Sequence, residues 1–247
     1  MDIVIPCIEK DKKLLRLAIE GLRQNLKHPI GTIYLVVQIP SMFQDFRDDA
    51  VVVNETDVVG FQSASLYNQF GNRSGWIYQQ LIKLSADKIA QSDDFLVYDA
   101  DHILLQPHSF KDGDKTIFYT TDEHHLPYFT AINDLFNGTV RKAVKPSFIA
   151  DCMLLNKSVL AEMKLSIESW HQSYWELAVI SSVQPHPSGF SEFETYGNFF
   201  ATFHPSEYKL KDADRYMSHN KIDFMSYQEI KDMYYDYASI TQHKFAI

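Results

Sequence analysis

Apolar residues fall in two rhythms along this chain. Ile3-Val4-Ile5, closed by Pro6, is a short continuous run of the kind that forms a buried strand. Leu15, Ala18, Ile19, Leu22 and Leu26 then recur three or four apart, which predicts an amphipathic helix over 12–26. Ile33–Val37 and Val51–Val53 predict a second and a third strand. Gly75–Leu84 carries Ile77, Leu81 and Leu84 on one helical face, with Gln80 and Lys83 three apart on another. Phe95–Tyr98 predicts a central strand, the run Ile103-Leu104-Leu105 follows it, and Thr116–Thr120 predicts a further strand. The alternation of strand and helix predicts an α/β fold with a mostly parallel sheet, right-handed crossovers and ligand-binding residues at the carboxyl ends of the strands. Residues 124–129 read as an irregular segment, 148–155 as a bent strand or strand pair, and the stretch after Thr202 as a polar, tyrosine-rich, less regular end of one domain.

The central strand ends in Asp99-Ala100-Asp101. Residues two apart in extended chain point the same way, so these carboxylates repel each other unless a cation lies between them. A hard divalent ion takes oxygen ligands and keeps positions open for phosphate oxygens. Such a tripeptide most often lies in a solvated turn. Here apolar runs flank it on both sides, which favours a metal-binding role. Asp151 lies inside an apolar run and needs a partner, either in a local turn or in a cleft. Ser191 and Glu194 match a capping box, which assigns Glu194 to the backbone. Glu192 then stands at the first helical position, where the helix dipole favours the ionised form a general base requires. The plainer alternative is that both glutamates only stabilise the helix. His124-His125 and the aromatics beside them suit the apolar faces and hydroxyl edges of a sugar. Adjacent histidines rarely chelate one zinc ion, and no partner motif supports one.

Composition narrows the field. Lys and Arg number 23 against 32 Asp and Glu, and the resulting net charge of −9 argues against a nucleic-acid partner. With 247 residues, 45% of them hydrophobic, one large core-forming domain is expected. Two cysteines, Cys7 and Cys152, both beside apolar runs, point to buried thiols and a reducing, cytoplasmic setting. No Gly-X-Gly-X-X-Gly follows the first strand and no Walker-type loop is present, which removes dinucleotide oxidoreductases and P-loop NTPases from the leading options. The first residues lack the features of a signal peptide, and no apolar run reaches the ~20 residues that span a bilayer. The expectation is a protein that is soluble, or at most peripheral at the inner membrane.

Five stretches, in order, resemble the GT-A-fold glycosyltransferases, and within them a bacterial group labelled as a domain of unknown function. They are Asp2–Pro6, Gly75–Lys83, Tyr98–Asp101, Phe148–Asn156 and Ser191–Gly197. The resemblance implies a single Rossmann-like GT-A domain, with residues 1–105 as the nucleotide-sugar and metal half and 106–247 as the acceptor half. It implies a nucleotide-sugar donor, with a UDP-sugar as the leading candidate, contacting Pro6, Trp76, Gln80, Lys83, Asp99 and Ala100. Mn²⁺ or Mg²⁺ would be held by Asp99, Asp101 and a late histidine, His204 or His219. A saccharide or lipid-linked saccharide acceptor would meet His125, Tyr128, Asp151 and Glu194, with Glu192 as the base of an inverting transfer. Bacterial surface polysaccharide synthesis is the implied setting. A metal-dependent nucleotidyltransferase and an inactive sugar-binding module are the alternatives.

Overall fold

The structure, a computed structural model, describes residues 1–242. Its elements run β1 (Asp2–Pro6), α1 (Lys12–Asn25), β2 (Ile33–Val37), β3 (Val51–Asn54), α2 (Glu55–Val59), α3 (Tyr67–Phe70) and α4 (Ser74–Leu84). There follow β4 (Asp94–Tyr98), β5 (His102–Leu104), β6 (Lys111–Asp112), β7 (Lys115–Thr120), α5 (Leu126–Leu135), β8 (Cys152–Asn156), α6 (Lys157–His171) and α7 (Trp175–Ser182). The last are α8 (Glu192–Phe203), β9 (Tyr208–Asp212), β10 (Arg215–Ser218), α9 (Tyr227–Met233) and β11 (Ser239–Gln242).

The main sheet has the order β3-β2-β1-β4-β8. Its first four strands run parallel, and β8 lies antiparallel against β4. Side chains alternate across a strand, so each central strand feeds two cores. Val4, Val36, Phe95 and Val97 pack on one face with α4, α6, α7 and α8. Ile3, Ile5, Leu35 and Leu96 pack on the other face against α1. The strands are therefore buried on both sides, which is why they read as continuous apolar runs.

Two three-stranded sheets, β10-β11-β5 and β6-β7-β9, complete the fold. Leu14 and Leu17 on the outer side of α1 meet Ile103, Leu105, Ile240 and Ile230 in a third, smaller core. Here α1 approaches β5 closely: a Cβ on Gly21 would stand 2.8 Å from the Leu104 carbonyl oxygen. The molecule is one α/β unit, a mixed, mostly parallel sheet flanked by helices.

Three expectations need correction. The stretch after Thr202 holds β9, β10, α9 and β11 rather than an irregular end. β9 pairs with β7 and β11 with β5, each roughly a hundred residues earlier in the chain, and β10 joins the edge of β11, so no local pattern announces them. Leu126–Leu135 is a helix whose first turn contains Pro127, a position where a proline's missing N–H costs nothing. Within 148–155 only Cys152 onward is strand, because Asp151 adopts φ 58° and turns the chain.

Candidate active site

Parallel strands deliver their carboxyl ends to one edge of the sheet, and two adjoining cavities open there. The first, about 400 Å³, runs along the ends of β1 and β2, the start of α2 and the first turns of α4, and includes Pro6 and Ala100. The second, about 330 Å³, lies between Asp99 and Asp101 on one side and the amino end of α8 on the other. Arg73, Trp76 and Gln79 line both. The Arg73 guanidinium lies 4.0 Å from the centre of the Trp76 ring, and Trp76 stacks on Tyr128 at a centroid distance of 6.5 Å. The shared wall thus carries a cation lying on Trp76, which is backed by Tyr128 on the side of the second cavity.

Beneath the second cavity Lys83 joins two carboxylates. Its Nζ lies 2.7 Å from Asp99 Oδ1 and 2.6 Å from Glu192 Oε1. The amide of Gln79 donates to the same Asp99 oxygen, and the backbone N–H of Glu192 donates to Gln80 Oε1. One helix, α4, therefore fixes both the end of β4 and the start of α8, because Gln79, Gln80 and Lys83 project from its cleft-facing side. Burial works against the charge on Lys83, but Asp99 and Glu192 outweigh it and raise its pKa above the ordinary lysine value. Burial pushes the Glu192 carboxyl above the ordinary glutamate value, against the pull of Lys83. The dipole argument for an ionised Glu192 is thus overtaken by desolvation, and the ion pair with Lys83 supplies what opposes it.

On the floor, Asp151 accepts from Arg215 and from the Thr241 hydroxyl, and Arg215 also donates to Glu123. Burial opposes the charge on Asp151, yet Arg215 holds its pKa below the ordinary aspartate value. His102, 2.8 Å from the Thr241 hydroxyl, is pushed down to about 3 by burial and is neutral. These contacts bind the turn before β8 to β10 and β11. The Asp101 carbonyl, in turn, accepts from the Gln242 N–H of β11.

Of the residues expected at the site, Pro6, Trp76, Gln80, Lys83, Asp99, Ala100, Asp101, Tyr128, Asp151 and Glu192 all line the two cavities. His125 packs edge-on against Tyr128, 3.5 Å from Glu123, outside the cavity wall. Glu194 is not a cleft residue: its carboxylate accepts from Ser147, the Phe148 N–H and Asn198. Ser191 does cap the Glu194 N–H, but Glu194 clamps the 147–148 segment instead of closing the capping box. His204 is corrected outright. It ends α8, bonded to Glu162 and Glu207, a helix length of roughly 18 Å from Glu192 at the rise of an α-helix. His219 is exposed, one residue past β10. Sequence reasoning missed Arg73, Gln79, Glu123 and Arg215. Gln79 lies within the Gly75–Lys83 stretch and Arg73 just before it, so both could have been found there, whereas nothing local marks Glu123 or Arg215.

Among the described residues, no group of three or more His, Cys, Asp or Glu side chains is arranged to hold a metal ion. Asp99 and Asp101 nonetheless fit a hard divalent ion of the Mg²⁺ type. Both offer oxygen, and such an ion needs only one or two carboxylates, completing its shell with water and phosphate oxygens.

The fold has solved counterparts. A galactosyltransferase, LgtC, solved with donor and acceptor sugar analogues, is 13% identical, and the match covers 99% of this chain and 87% of that one at a TM-score of 0.50. An active-site mutant of LgtC is 14% identical over 100% and 88% of the two chains, also at 0.50. Mouse xyloside xylosyltransferase 1 in its apo form is 10% identical over 98% of each chain at 0.48. No curated protein sequence matches the chain. The likeness to LgtC identifies the architecture as the GT-A fold. Residues 13–239 match the model of a family of unknown function, DUF6492, and the chain belongs to that family.

Proposed function

We propose that the protein is a glycosyltransferase that moves a sugar from a nucleotide-sugar donor to a hydroxyl of a saccharide or lipid-linked saccharide. The observation that carries this is a pair of adjoining cavities that share Arg73, Trp76 and Gln79, the second lined by Asp99 and Asp101, on a GT-A fold. A nucleotide fits the cavity along β1 and β2, and the acceptor fits the one under α8. The chain would divide by task accordingly, donor and metal in 1–105 and acceptor in 106–247.

Arg73, on the shared wall, is positioned to meet the diphosphate. A divalent ion held by Asp99 and Asp101 would neutralise charge on the departing nucleoside diphosphate. Glu192 faces the acceptor cavity and is the candidate to take the proton from the attacking hydroxyl, which implies inversion at the sugar carbon. Lys83 bonds Oε1 of this carboxylate and fixes its direction.

The test is nucleoside-diphosphate binding with and without Mn²⁺, followed by turnover of a bound donor. Asp101→Asn is expected to abolish the Mn²⁺-dependent part of binding. Glu192→Gln is expected to lower kcat by about 10² to 10⁴ with nucleotide affinity retained. Mn²⁺-dependent binding that survives Asp101→Asn removes the metal assignment, and normal turnover in Glu192→Gln removes the inverting mechanism.

A further inference from the structure

We propose that the donor cavity selects a guanine nucleotide, with the Glu55 carboxylate accepting hydrogen bonds from N1–H and the 2-amino group of the base. This rests on the nucleotide-sugar reading above and names the nucleotide.

The sheet order sets the distances. Ala100, Cys7, Gln38 and Glu55 follow β4, β1, β2 and β3, which lie side by side, and all four line the one cavity. Adjacent strands are about 4.8 Å apart, so the Asp99 end and the Glu55 end are separated by three spacings, roughly 14 Å. That is the reach of an extended nucleoside diphosphate. With the diphosphate against Asp99 and Asp101, the ribose crosses the end of β1 and the base arrives beside β2 and β3.

Glu55 is the acidic group at that end. It is half-buried, and burial pushes its pKa above the ordinary glutamate value. Among the described residues its carboxylate receives one side-chain hydrogen bond, a long one of 3.4 Å from the Ser63 hydroxyl. Two acceptor oxygens side by side match two adjacent N–H donors, the arrangement that gives the strong bidentate, charge-assisted bond. Guanine presents such a pair on its N1 and 2-amino edge. Uracil presents one N–H between two carbonyl oxygens, which the carboxylate repels. Cytosine and adenine each set a ring-nitrogen acceptor beside the amino group, again facing a carboxylate lone pair. Chemistry at Glu55 thus favours guanine over the uridine donor that the family resemblance brings forward.

The experiment is calorimetric titration of the full chain with GDP, IDP, UDP, CDP and ADP, each with Mn²⁺, at neutral pH. GDP is expected to bind roughly ten- to hundredfold more tightly than UDP, CDP or ADP, the usual discrimination of a bidentate pair. IDP, which lacks the 2-amino group, is expected to lose about tenfold against GDP. Glu55→Gln should erase both gaps, weakening GDP while UDP, no longer facing a carboxylate, binds at least as tightly as before. If that variant does not fold, the GDP–IDP comparison on the wild type decides alone. Equal affinities, or a preference for UDP, overturn the guanine assignment. The nucleotide-sugar reading survives that result if the binding disappears in Asp101→Asn. No binding by any of the five overturns both.

Discussion

Lys83 is a buried ammonium between two carboxylates, and removing it leaves them facing each other without a cation. Breaking such an arrangement from one side costs about 3–5 kcal/mol. Lys83→Met is therefore expected to lower unfolding stability by about that much in urea, and adding Glu192→Gln should return part of the loss. A purely additive double variant would mean that the two residues do not act on each other. Periodicity placed Gln80 and Lys83 on a shared face, and that much was legible. The partner was not: Glu192 lies 109 residues further on, and no local pattern links them. Glu194 is the reverse case. The S-X-X-E spacing marked the helix start, but Ser147 and Asn198 claimed the carboxylate that the capping motif would have used.

The helix that carries Glu192 is seated through a glycine. Gly197 is buried in α8, and a Cβ on it would stand 2.3 Å from the Phe148 ring. Alanine is the better helix former by about 1 kcal/mol. Yet Gly197→Ala is expected to destabilise by about 1–3 kcal/mol, because overpacking against an aromatic ring outweighs the propensity gain. Thermal melting of the variant checks the sign: a rise in Tm would show that Phe148 can yield. The helices α1 and α4 could be read from their apolar stripes, and β1, β2 and β4 because burial on both sheet faces imprints an apolar run, while β3, a partly buried edge strand, was legible from its three valines. By contrast, β10 and β11 escaped, since Ile240 is the one core residue in Ser239–Gln242. α5 escaped because Pro127 reads as a breaker unless its first-turn position is known.

Across the whole molecule, Asp2 ties the sheet's beginning to two distant segments. Its carboxylate accepts from the N–H groups of Thr32, Gln91 and Ser92. Burial alone would raise its pKa, but these three donors hold it below the ordinary aspartate value. A depressed folded pKa gives stability that is present above the unfolded value, near 3.9, and lost as pH falls toward the folded one. The Tm of wild type should therefore exceed that of Asp2→Asn at neutral pH, and the gap should narrow below about pH 4. A gap that stays constant to acid pH would assign the effect to shape instead of charge. The floor of the second cavity has a different long reach: Asp151 is held from β10 and β11, which close the third core late in the sequence. A ribosome delivers the chain from its N-terminus, and domains begin folding as they emerge. Both faces of the main sheet can fill once α8 is out, while Asp151 still waits for Arg215 and Thr241. The nascent protein should thus fold around its cleft before the cleft is complete, and the transfer proposed for it should begin only after residues 239–242 have left the exit tunnel.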